Sequence, residues 1–86
     1  MNDKELADRF EQVLGFNPVD MFGDDWDTDW RVAGALMEKV DSIYPEKLVD
    51  EQWQVQASMD AMPTEWIVNE SLPRAIIEAC CEALDE

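Results

Sequence analysis

Between positions 24 and 30 the chain places four aspartates and two tryptophans, within the stretch GDDWDTDWRVAG (23–34). Carboxylates packed this densely can bind a cation, present an acidic docking surface, or start a helix. The cation reading has a direct test. Asp25, Asp27 and Asp29 fall on positions 1, 3 and 5 of an EF-hand loop, which also needs a turn glycine at 6 and a bidentate glutamate at 12. Those two places hold Trp30 and Leu36. The loop fails at both, so neither a metal nor a cofactor is expected.

Other reactive chemistry is scarce. The chain has no histidine, which removes the commonest general base, the usual nucleophilic triads and most transition-metal sites. Its glycines, at 15, 23 and 34, are too scattered for a phosphate-binding loop. Cys80 and Cys81 are adjacent. Neighbours in a helix point about 100° apart, so this pair forms no ordinary disulfide, which fits a reducing compartment. Glu78 and Glu82 flank Cys81 and disfavour its thiolate. A non-enzymatic protein is expected.

Charge is the outlying feature. Twenty-one acidic residues face six basic ones, for a net charge of −15 on 86 residues. Solubility of a small domain calls for a magnitude of roughly 2–8. Such a surface repels nucleic acid and anionic membranes and attracts basic proteins. At 47% hydrophobic residues, with four tryptophans, the chain is too apolar for a disordered acidic tail. Its length suits one small domain, 1–86. The polar start MNDKELADRF reads as helix rather than signal peptide, so a cytoplasmic location is expected.

The elements follow from periodicity. Leu6, Phe10, Val13 and Leu14 recur at helical spacing over 2–14, with Asn2 and Glu5 as a capping box and Gly15 as the stop. Residues 15–26 read as a loop. A second helix starts at Asp27 or Thr28, carries Trp30, Ala33, Met37 and Val40, and ends at Pro45. In QWQVQASM (52–59), Trp53, Val55, Ala57 and Met59 alternate with polar residues, as in a half-buried strand. DAMP (60–63) is a turn and EWIVN (65–69) a second strand, giving an antiparallel hairpin. Ser71 caps a last helix with Pro73 in its first turn. Its apolar stripe is Leu72, Ala75, Ile76, Ala79, Cys80, Ala83 and Leu84, with Cys81 toward the edge. The expected fold is α+β, three helices and a short antiparallel hairpin in the order α-α-β-β-α.

Two segments resemble a known family. WDTDWRVAGALMEKV (26–40) is similar to the segment where small bacteriophage ABA-sandwich proteins place a Trp, a Thr-Asp and an Ala/Val-rich helix. SLPRAIIEACCEAL (71–84) is similar to their closing helix. The resemblance implies a phage or prophage origin and a helix–sheet–helix layout; it implies no catalytic residues.

The function expected is that of a phage-type accessory protein whose acidic surface binds a basic host protein, itself a nucleic-acid binder, and inhibits it by nucleic-acid mimicry. Anti-CRISPR and anti-restriction proteins are examples of the class. The docking residues are Asp20, Asp24, Asp25, Trp26, Asp27 and Asp29. Carboxylates would steer association and tryptophan would supply the contact. In an extended loop, alternate aspartates would sit ~6.6 Å apart, in imitation of phosphates. On the purely structural reading the same stretch caps a helix, with Trp26 and Trp30 in the core. The functional alternative is a self-associating, homo-oligomeric phage protein without inhibitory activity. Acids of the first helix, Asp8 and Glu11, and of the last, Glu78, Glu82 and Asp85, offer other faces.

Overall fold

The computed structural model describes residues 2–84. Helix α1 (Asp3–Leu14) opens on Asn2, whose side chain accepts the Glu5 backbone N–H at 2.8 Å and donates to Glu5 Oε1 at 3.1 Å. This is a capping box, and it satisfies amides that have no partner inside the helix. Gly15 ends α1 at φ 83°, a left-handed geometry that glycine adopts at no steric cost.

The expected loop at 15–26 contains a short helix, α2 (Pro18–Phe22). Asn17-Pro18 starts it rather than breaking the chain. Asn17 caps through the Val19 N–H at 2.9 Å, and Pro18 takes the first helical position, where no N–H is needed. One 3₁₀ turn follows (Trp26–Thr28), then helix α3 (Trp30–Met37). The cap of α3 is Asp29, later than the expected Asp27 or Thr28.

Helix α3 is shorter than its sequence pattern suggests. The segment around Pro45 belongs to a strand, β1 (Ser42–Lys47), and not to a helix end. β1 pairs antiparallel with β2 (Trp53–Met59), Ser42 opposite Ser58 through Lys47 opposite Trp53. Beyond β2 lie β3 (Met62–Pro63) and β4 (Ile67–Asn69), which pair antiparallel with the two halves of β2. The expected hairpin is therefore present, with a third strand on its other side. Thr64 bridges the gap between β3 and β4. Its N–H donates to the Ala57 carbonyl at 2.8 Å, and its hydroxyl accepts the Ala57 N–H at 3.2 Å.

Helix α4 (Leu72–Leu84) closes the chain. The Ser71 hydroxyl receives the Arg74 N–H at 3.4 Å, in the capping role expected of it. Helix α4 touches strands β1, β2 and β4, and also helices α1 and α3 and the 3₁₀ turn. It is a middle layer between the sheet and the remaining helices. Every residue from Pro73 to Cys81 is buried, as expected of a helix covered all round rather than along one stripe. Cys81 is thus fully buried, not at an edge. Val55 and Ala57 of β2 face α4 and join Leu6, Phe10, Trp26, Val32, Leu36, Ile76, Ile77 and Cys80 in the core. The fold is α+β. Among the described residues no helix is long and apolar enough to cross a membrane.

Candidate docking surface

The acidic stretch is not extended. Gly23, at φ 85°, lets the chain leave α2, and the Trp26 N–H bonds back to the Gly23 carbonyl at 3.3 Å. The Asp25 carbonyl accepts both the Thr28 N–H and the Thr28 hydroxyl at 3.1 Å. With about three residues per turn, aspartates two apart point to different sides. The ~6.6 Å ladder of carboxylates that an extended loop would give is therefore absent. Among the described residues, no three acidic or cysteine side chains converge as a metal-ligand group.

The six residues expected to dock separate into two sets. Trp26 is 3% exposed and packs edge-to-face on Phe10, with ring centroids 5.6 Å apart. It is a core residue whose exposed remnant lines a hollow it shares with Asp24. Asp27 turns inward. Its Oδ2 accepts from Arg74 of α4 at 2.7 Å, while Arg74 Nε donates to Glu78 at 2.9 Å. Two carboxylates thus hold a guanidinium whose side chain is 9% exposed. Asp29 caps α3 through the Arg31 N–H at 2.8 Å and pairs with the Arg31 guanidinium at 2.6 Å. Hydrogen bonds from the Arg31 side chain, then from its backbone N–H, hold the Asp29 carboxyl below the usual carboxylate range. The same guanidinium lies over the Phe22 ring, 5.4 Å from its centroid.

Asp20, Asp24 and Asp25 remain. All three are exposed, and none forms a side-chain ion pair among the described residues. Trp30, expected in the core, is 58% exposed at the start of α3. The exposed tryptophan of the acidic stretch is therefore Trp30 and not Trp26. Its phase gives a sequence signal: Val32, Ala33 and Leu36 define the buried face of α3, and Trp30 lies off it. Asp24 also lines a hollow of about 540 Å³ with Asp8 and Lys4 of α1, so the acidic surface continues onto that helix. The last helix offers no such face at Glu78, which is buried and paired. Asp85 lies outside the described residues.

Both thiols are fully buried. Burial, reinforced by the neighbouring Cys81, pushes the Cys80 thiol up from 9.0 to about 12. Comparison with family models, with curated proteins and with solved structures gives no match to this chain. What the surface can do must be argued from its own geometry.

Proposed function

We propose that the chain is a non-enzymatic binding protein that docks an acidic surface on a basic, nucleic-acid-binding host protein and competes with that protein's nucleic acid. The observation that carries this reading is the exposure of Asp20, Asp24 and Asp25, without ion pairs among the described residues, within ten residues of the exposed Trp30 in the chain. Helix capping accounts for Asp29 and internal pairing for Asp27; neither role reaches these three. At a net charge of −15, steering toward an Arg/Lys-rich groove is strong at low salt and weakens as salt screens it. The competition is electrostatic, because the turn does not reproduce the regular spacing of phosphates. The phage setting, with anti-CRISPR or anti-restriction activity as the kind of outcome, rests on the resemblance of residues 26–40 and 71–84.

The test begins with recovery of partners from a bacterial host lysate on immobilised protein. It continues with competition between the chain and nucleic acid for the recovered partner. The variant Asp20→Asn/Asp24→Asn/Asp25→Asn/Trp30→Ala should fold normally, associate more slowly and show a flatter salt dependence. A partner that keeps its nucleic acid at saturating concentrations of the chain would defeat the reading. Unchanged affinity of the variant at both low and near-physiological salt would move the interface elsewhere.

A further inference from the structure

The face of the sheet turned away from α4 presents an aromatic groove. Antiparallel register partners share a face, so Tyr44 of β1 stands beside Gln56 of β2, and Glu46 beside Gln54 beside Val68 of β4. Tyr44 is 56% exposed and Trp66 43%. Together with Gln56, Glu46, Ile43 and Pro45 they line a groove of about 480 Å³. Tyr44 forms one wall, on β1. Trp66 forms the other, in the segment between β3 and β4. Gln56 is the floor, fixed by donating to the Thr64 carbonyl at 2.9 Å. Glu46 Oε1 accepts from Gln54 at 3.1 Å, which holds the carboxylate over the sheet and leaves its second oxygen for another donor.

The dimensions suit a flat cation. Tyr44 lies on the strand to one side of β2 and Trp66 immediately before the strand on the other, so two inter-strand steps, roughly 9.6 Å, separate their backbones. A planar group in contact with a ring on each side needs roughly 7–8 Å between them, a gap that a modest inward lean of either ring provides. Elsewhere the chain already sets cations on rings, Arg31 on Phe22 and Lys47 on Trp53. Neither Tyr44 nor Trp66 has such a cation among the described residues. The surrounding segment, 41–70, carries Asp41, Glu46, Asp50, Glu51, Asp60, Glu65 and Glu70 against the single basic residue Lys47. A second copy of the chain would bring the same acids to the groove and be repelled; a basic partner is attracted.

We propose that this groove seats an arginine side chain of a basic protein partner, with the guanidinium stacked between Tyr44 and Trp66 and donating to Glu46. Arginine is preferred to lysine because its planar group stacks and forks where an ammonium acts as a point charge. The assignment rests on the reading that the partner is basic, but it concerns a different face from Asp20, Asp24 and Asp25.

Hexa-arginine and hexa-lysine peptides carry equal charge and separate stacking from bulk attraction. Calorimetry on the wild-type protein should show hexa-arginine bound roughly fivefold to thirtyfold more tightly, the worth of two ring–cation contacts. Tyr44→Leu/Trp66→Leu should abolish that preference, and Glu46→Gln should reduce it. The triple Asp→Asn change in the loop should weaken both peptides alike and leave the preference intact. Equal binding of the two peptides, binding of neither, or a preference surviving the double variant would overturn the proposal. So would a Trp66 indole proton that does not shift in the NMR spectrum of the wild type on adding hexa-arginine, a result that no folding defect can mimic. If the preference fails while the loop variant still weakens both peptides, the groove is wrong and the acidic-loop reading stands.

Discussion

Arg74 ties the acidic turn to the middle helix, and replacing it tests that arrangement. Its side chain is 9% exposed and bonds Asp27 at 2.7 Å and Glu78 at 2.9 Å. Arg74→Met keeps a long stem in place but leaves two carboxylates facing each other, with Glu78 only 11% exposed. Removing one partner of a buried charge network costs roughly 3–5 kcal/mol. A domain of 86 residues holds about 4–13 kcal/mol in all, at ~0.05–0.15 kcal/mol per residue. The variant should therefore lose roughly a quarter of its stability or more. At ~4–8 °C per kcal/mol for a domain of this size, its melting point should fall by at least ~12 °C. Removing the charges together should behave differently. Asp27→Asn/Arg74→Met/Glu78→Met leaves no buried charged side chain among the described residues, and such replacements are often neutral or stabilising. Urea and thermal melts at neutral pH supply both numbers. An Arg74→Met protein melting within a few degrees of wild type would refute the reasoning, as would a triple variant no more stable than the single one.

Three further outcomes are expected. The β2–β3 turn places Asp60 at φ 54° and Ala61 at φ 64°; a residue with a Cβ costs ~1 kcal/mol or more there relative to glycine, so Ala61→Gly should raise the melting point by several degrees despite glycine's larger unfolded-state entropy, and a fall would show that the turn is held by something other than its backbone. Asp29→Asn keeps the helix cap but removes the partner of Arg31; because the folded carboxyl titrates below its ordinary 3.8, its stabilisation is present at neutral pH and is lost as pH falls through that lowered value, so variant and wild type should differ at pH 7 and converge in acid, as urea melts at several pH values would show. Cys80 and Cys81 are fully buried, and the Cys80 thiol is raised to about 12; a thiol reagent at pH 8 should label them only as fast as the protein opens, and rapid labelling of folded protein would contradict the three-layer packing.

Much of this fold is written in local chemistry. Asn2 with Glu5 and Gly15 bound α1, the Trp53–Met59 alternation marks the central strand, and Ser71-Leu72-Pro73 starts α4; each is a signal within a few residues. The parts that escape such reading depend on distant partners. β1 holds no fully buried residue and lies at the sheet edge, where Pro45 is tolerated because an edge N–H needs no ladder partner. Its strand character comes from pairing with β2, which periodicity does not report. α2 was hidden because Asn-Pro marks both breaks and starts. Cys81 reads as marginal on a one-sided helix; only a layer on each side of α4 makes it core. One sequence signal did point there. Arg74 and Glu78, the charged residues between Leu72 and Cys81, are complementary and four apart, as a buried helix with an internal ion pair requires.

The same division explains why the acidic stretch admits several readings. A run such as DDWDTDW carries one composition, but a 3₁₀ turn sends successive side chains to different sides. Trp26 and Asp27 go inward, one to the Phe10 ring and the other to Arg74. Asp29 turns onto the next helix and its Arg31. Of the aspartates from 20 to 29, only Asp24 and Asp25, with Asp20 of α2, are exposed, and beyond the turn Trp30 is exposed as well. Acidic residues at every second position suggest a ladder to the eye, and a ladder needs extended backbone. Trp26 anchors that turn to the core through the Phe10 ring. The surface left for a partner is therefore smaller and more irregular than the sequence implies: three carboxylates and one ring, set on a turn locked from beneath by Trp26 and Arg74. A rigid base of this kind lowers the ordering cost of binding, which is what a small acidic surface needs if it is to compete with a longer polyanion for the same groove.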